Sequence, residues 1–153
     1  MDALIRFPAE AVLCAAPADK ADILRLLAER YEAVYGLDAV AVLEGLEERE
    51  RLGSTGFGRG VAIPHARIDG IRRSKVILLR LDEPRDFGSA DGMPVDLVFG
   101  LLSPANAGAT HLHALAAISR LVRDEDMHRH LVEAPDSEAL YALLTNAVDR
   151  DAA

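Results

Sequence analysis

VILLRLDEPRDFGSADGMPVDLVFGLL, residues 76–102, contains two apolar runs, Val76–Leu81 and Val95–Leu102, divided by a stretch of turn formers. Neither run alternates apolar and polar residues as a strand with one wet face does, so both are expected to be strands covered on both sides. They form the centre of a sheet, and the remaining elements must supply helices for its two faces.

Working outward, Ala11–Cys14 is expected to be a short first strand. Asp19 is placed to cap a helix whose inner face carries Ile23, Leu26, Leu27, Tyr31 and Val34, with Gly36 as its stop. Asp38 caps a second helix through Val42, Leu43 and Leu46 that ends near Leu52. Gly53–Gly60 has four glycines in eight positions and is expected to be loop. Val61–Ile63 is a short strand that delivers Pro64 and His65 to a loop. Beyond residue 102, Thr110 is placed to cap a helix with Leu112, Leu115, Ile118 and Val122 inward. Asp124 opens a short helix around Met127 and Leu131, and Asp136 caps a last one through Leu140, Leu143 and Leu144. The order β-α-α-β-β-β-α-α-α predicts an α/β sandwich with a mixed sheet flanked by helices, one domain over residues 1–153.

The chain carries 25 acidic and 17 basic residues, a formal charge of −8, which disfavours nucleic acid as a partner. The basic residues are unevenly placed. Between Arg49 and Lys75, seven of them face only Glu50 and Asp69, so this segment is +5 in an otherwise acidic chain. Such an island suits one small anionic group better than a polyanion, although solvated loop arginines give the same pattern. No apolar run reaches the roughly 20 residues of a membrane span, and the N-terminus lacks the pattern of a signal peptide, so a cytoplasmic location is expected. Cys14 is the only cysteine, which excludes an intramolecular disulfide, and its neighbours Val12 and Leu13 predict that it is buried.

Several motifs can be set aside. The glycines at 56, 58 and 60 lack the strand-before, helix-after setting of a dinucleotide site, and Arg59-Gly60 stands where a P-loop needs Lys and Ser/Thr. His111-Leu112-His113 and His128-Arg129-His130 put their histidines about 200° apart on a helix, so neither pair is expected to hold a metal.

His65 is different. It follows Pro64, whose φ is fixed, and a glycine-rich segment whose backbone N–H groups can approach an anion. A neutral imidazole is a competent nucleophile near pH 7 and can carry a phosphoryl group, and arginines match phosphate oxygens with their planar fork. On the residues alone, an incidental loop histidine fits as well.

The stretch Arg49-Glu50-Arg51-Leu52-Gly53-Ser54-Thr55-Gly56, followed by Gly58-Arg59-Gly60-Val61-Ala62-Ile63-Pro64-His65, resembles the signature of the fructose/mannitol-type (type 2) enzyme IIA family of the phosphotransferase system. Pro94 to Phe99, Pro104 to Leu115 and Leu140-Tyr141 are similar too, so the resemblance spans nearly the whole chain. It implies that His65 is phosphorylated, that Arg49 lies beside the phosphoryl group, and that His111 faces it. The N-terminus of a helix capped by Thr110 would add free N–H groups near His111. Ser54 and Thr55 are candidate phosphate contacts, though loop capping explains them equally.

The implied reaction moves a phosphoryl group from a phosphohistidine donor resembling HPr to His65, with no metal or other cofactor. The unfused chain and the Gly53-Ser54-Thr55-Gly56 loop look most like the nitrogen-regulatory subgroup, whose phosphorylation state is a signal read by regulatory protein targets. Two alternatives stand beside it: a sugar-transport enzyme IIA serving a separate IIB subunit, and a metal-binding or hydrolytic protein using His65, His111 and His113.

Overall fold

A computed structural model describes residues 6–152, with side chains described as far as residue 148. After a 3-10 turn at Ala9–Ala11 come strand β1 (Val12–Ala15) and helices α1 (Lys20–Tyr35) and α2 (Ala39–Arg51). Strands β2 (Gly56–Gly58), β3 (Val61–Ala62), β4 (His65–Ile68), β5 (Lys75–Arg85) and β6 (Val95–Pro104) follow. Helices α3 (Ala109–Arg123), α4 (Glu125–Glu133) and α5 (Ser137–Ala152) complete the described chain.

The sheet is mixed and runs β1-β5-β6-β3-β2, with β4 also paired to β6. β5 and β6 are antiparallel at its centre, while β1 on β5, and β3 and β4 on β6, are parallel. The central strands divide their side chains between two cores. Val76, Leu78, Leu97, Phe99 and Leu101 face α3, α4 and α5; Ile77, Leu79, Leu81, Val98 and Leu102 face α1 and α2. This is the two-sided burial that the apolar runs predict, in a mixed-sheet α/β sandwich. At Gly100 a Cβ atom would lie 2.9 Å from the Tyr31 hydroxyl, so only glycine lets α1 pack this closely.

The acidic caps act as expected. Asp19 accepts from Asp22 N–H, Asp38 from Val40, Asp124 from Asp126 and Met127, and Asp136 from Ala139, while Gly36 ends α1 in the left-handed region. Four local expectations are corrected. The glycine-rich segment is not all loop, because Gly56–Gly58 pairs antiparallel with β3. The histidine is not on a loop either: His65 opens β4, and β3 and β4 keep one register along β6, Ala62 facing Val98 and His65 facing Leu101. Pro64 interrupts this single path because it has no N–H to give the ladder.

The third correction concerns α3, which is capped by Gly108 at φ 55° and not by Thr110. The helix therefore starts earlier; Ile118 and Val122 are buried as expected, but nearer its start His111 and Ala114 are the buried residues and Leu112 is 61% exposed. Finally, Cys14 is exposed, although it shares its face of the edge strand β1 with the buried Val12. Its sulfur accepts from Arg80, which also donates to the carbonyls of Leu131, Val132 and Ala134 at the end of α4.

Candidate functional site

The last turn of α2, the start of β4 and the first turns of α3 enclose a cleft of about 410 Å³ lined by Arg49, His65, Arg67 and His111. β4 sets the direction of His65. Its ring lies on the α3 side, with Arg67 two residues on along the strand, while Ala66 packs into the core on the α1–α2 side.

Both ring nitrogens of His65 are engaged. Nδ1 lies 2.8 Å from the Ile63 carbonyl oxygen, and Nε2 lies 3.2 Å from Arg49 Nε. A carbonyl can only accept and a guanidinium can only donate, so the neutral ring carries its proton on Nδ1 and turns the Nε2 lone pair toward Arg49 and the cleft. Burial holds the pKa of His65 below the ordinary imidazole value. The Ile63 bond and Glu50 oppose that shift, while Arg49 and Arg67 add to it.

Arg49 is itself anchored, because its Nη1 donates to the Gly53 carbonyl at 2.8 Å. Glu50 organises the same turn: it accepts from the Thr55 N–H and hydroxyl and pairs with Lys20 at 2.9 Å. His111 stands across the cleft, its ring centroid 5.5 Å from that of His65. It is 6% exposed, and burial first, then the charges of His65 and Arg67, push its pKa down to about 4. His111 is therefore neutral at pH 7.

His65, Arg49 and His111 thus meet in one cleft. Ser54 and Thr55 do not turn their hydroxyl protons toward it, since Ser54 donates to the Phe87 carbonyl at 2.7 Å and Thr55 to Glu50. The free N–H groups expected at the start of α3 are also committed, Thr110 N to Ala107 O and His111 N to Gly108 O. His113 lies on the exposed side of α3, and among the described residues no three His, Cys, Asp or Glu side chains gather as metal ligands.

Sequence reasoning missed three contributors. The Ile63 carbonyl has no side-chain signature, and Ser103, 2.7 Å from His111 Nδ1, is hidden at the end of an apolar run. Arg67 enters the sequence reading only as one charge of the basic island, although two-residue spacing from His65 on a strand places it on the same face.

The sequence matches the family described as "Phosphoenolpyruvate-dependent sugar phosphotransferase system, EIIA 2" over residues 7–147. The chain belongs to this EIIA family. It is 46% identical over 125 residues to a nitrogen regulatory protein of Bradyrhizobium diazoefficiens, covering 82% of each chain. A fructose-specific EIIA component of Haloferax volcanii is 38% identical over 112 residues, 73% of each chain. Among solved structures, the nitrogen regulatory protein IIA-Ntr of Neisseria meningitidis superposes with a TM-score of 0.83 at 34% identity, covering 90% of this chain and 95% of that one. As an EIIA protein the chain is a phosphotransferase-system component. Among its described residues, no helix is long and apolar enough to cross a membrane.

Proposed function

We propose that this EIIA protein is a phosphohistidine carrier that accepts a phosphoryl group on Nε2 of His65 from an HPr-like phosphohistidine donor. The observation that carries this reading is the fixed tautomer: a lone pair, free of its proton, facing an arginine in an open cleft. The lone pair attacks phosphorus as the donor's N–P bond breaks, and that bond's electron pair returns to the donor ring. No proton leaves Nε2. The proton stays on Nδ1, and its hydrogen bond to the Ile63 carbonyl stabilises the positive charge the ring acquires as the new bond forms.

Arg49 exchanges the lone pair for a phosphoryl oxygen while Gly53 keeps its other arm in place, and Arg67 and His111 add positive charge and a polar ring beside the transferred group. Positioning and charge suffice for such a transfer, so no nucleotide or Mg²⁺ is required. Leu52 and Leu112, 83% and 61% exposed, rim the cleft and offer a docking surface to a protein-sized donor. The test is incubation with phosphoenolpyruvate, enzyme I and an HPr-like carrier. One acid-labile phosphoryl group is expected on the wild type and none on His65→Ala; equal labelling of the variant would overturn the assignment.

The phosphorylation state then serves as a regulatory signal, a reading supported by the likeness to nitrogen regulatory proteins. A phosphoryl group adds roughly −1.5 to −2 charges to the basic island. That weakens the local attraction for acidic partners and places a negative group where they would dock. His65→Ala and His65→Glu are expected to retain different proteins from a lysate. The sugar-transport alternative, favoured by the likeness to the fructose-specific component, expects loss of one sugar's uptake on deletion and a IIB subunit retained by both variants.

A further inference from the structure

Ser103 is fully buried near the end of β6, and its Oγ lies 2.7 Å from His111 Nδ1 and 3.2 Å from Oγ of the buried Ser74. We infer that Ser74 and Ser103 form a hydroxyl relay that fixes His111 as the Nε2–H tautomer, so that it presents an N–H donor to the group carried on His65. The inference rests on the phosphocarrier reading for its purpose, though not for its geometry.

A neutral imidazole has one donor and one acceptor and each hydroxyl has one proton, so the two bonds can be arranged in three ways. In one, Ser74 donates to Ser103 and Ser103 donates to Nδ1. In the other two Nδ1–H donates to Ser103; either Ser103 then donates to Ser74 and strands the Ser74 proton, or Ser74 donates to Ser103 and strands the Ser103 proton, because neither hydroxyl has a further partner among the described residues. A stranded buried donor costs about 1–3 kcal/mol, so the first direction prevails. Nδ1 then accepts, and the single ring proton must sit on Nε2. The downward shift of the His111 pKa keeps the ring neutral, so that this choice of tautomer decides what it offers.

The consequence is complementarity. His65 has its proton inward and its lone pair toward the cleft, as a nucleophile requires. His111 has its lone pair inward and its proton outward, as a phosphoryl oxygen requires. Ser103 is thus a positioning residue, since it acts on the reacting group only through His111.

The experiment is a two-dimensional long-range ¹H–¹⁵N spectrum of histidine-labelled protein without any phosphoryl donor. The wild type is expected to show His111 as the Nε2–H tautomer, and Ser103→Ala to move it to a mixture of tautomers while the His65 signals stay in place. Transfer to His65 in Ser103→Ala is expected to fall about tenfold, the scale of one well-placed neutral hydrogen bond, and Ser103→Thr to restore both readouts. An Nδ1–H tautomer of His111 in the wild type, or an unchanged tautomer in Ser103→Ala, overturns the relay. Absence of phosphorylation on wild-type His65 would instead overturn the carrier reading and leave the tautomer result standing.

Discussion

Two clefts open toward opposite ends of β6, and each contains a histidine and an arginine of the basic island. The cleft of His65 lies where that strand pairs with β4. The other, about 510 Å³ and the larger of the two, lies near the start of β6 and is lined by Arg59, Asp96, His128 and Arg129. They differ in what the imidazole faces. His65 donates a hydrogen bond from Nδ1 to a backbone carbonyl and accepts one from a guanidinium at Nε2. His128 Nε2 instead lies 3.0 Å from Asp96 Oδ1, a carboxylate that spans from β6 to α4 and leaves the ring no open nitrogen on that side. The contact is an ion-pair distance without hydrogen-bond alignment, since the same oxygen has no hydrogen-bond partner. Volume therefore says little about chemistry here, and the pairing of donors and acceptors around the ring says more.

The comparison is broken most directly by removing one group from each cleft. Arg49→Ala and His111→Ala are expected to fold and to accept the phosphoryl group more slowly, each on the order of 10², the usual cost of losing one stabiliser of developing charge. His128→Ala is expected to stay within about twofold of the wild type. Rapid-quench measurement of transfer from the phosphorylated donor reads all three, and a loss in His128→Ala equal to that in Arg49→Ala would mean that the clefts act as one.

A smaller effect concerns pH. The folded pKa of His111 is about 4, against roughly 6.5 for an unfolded histidine. Between these values the unfolded chain binds more protons, so stability present above pH 6.5 is lost as the pH falls toward 4. By pH 5 the loss is about 2 kcal/mol from this group. Urea midpoints at pH 7 and pH 5 should converge for His111→Gln relative to the wild type, because other groups contribute alike to both proteins. Parallel behaviour of the two would show that burial of His111 does not penalise its charge.

What could be read from the sequence follows from where the information lies. Residues 76–81 and 95–102 were legible because burial on both faces leaves continuous apolar runs, and four helices because an aspartate caps each. The strand containing His65 was not, since Pro64 masks one continuous path along β6 as two short pieces. The inner face of α3 was legible at Ile118 and Val122 but missed at its first turn, where His111 and not Leu112 is buried; there Gly108, which reads as a turn, is the cap, and Thr110, which reads as a cap, is already helical. At the site, the resemblance supplied His65, Arg49 and His111. It did not supply the groups that set their protons, since the Ile63 carbonyl belongs to the backbone and Ser103 depends on a partner eight residues away across a turn.

The smallest effect separates the two arginines themselves. Arg59 is the only described non-glycine residue at positive φ, 57°, and its side chain, 65% exposed, comes no closer than 4.0 Å to Glu125. Its N–H donates to Asp91 Oδ2 at 2.8 Å, a bond that any residue except proline retains. The left-handed backbone costs a non-glycine residue about 1 kcal/mol or more, while an exposed ion pair at this distance contributes little. Arg59→Gly removes the strain but loosens the unfolded chain, which offsets roughly 0.4–1 kcal/mol. The net change against the wild type is therefore near zero to slightly stabilising, about 0.5 kcal/mol. Arg59→Ala keeps the strain and loses the side chain, so in thermal unfolding the glycine variant should melt above the alanine variant, by about 2 °C. Both variants should accept the phosphoryl group at the wild-type rate. Equal melting would show that no strain is stored at this turn, and slower transfer would show that the two ends of the basic island serve a single site.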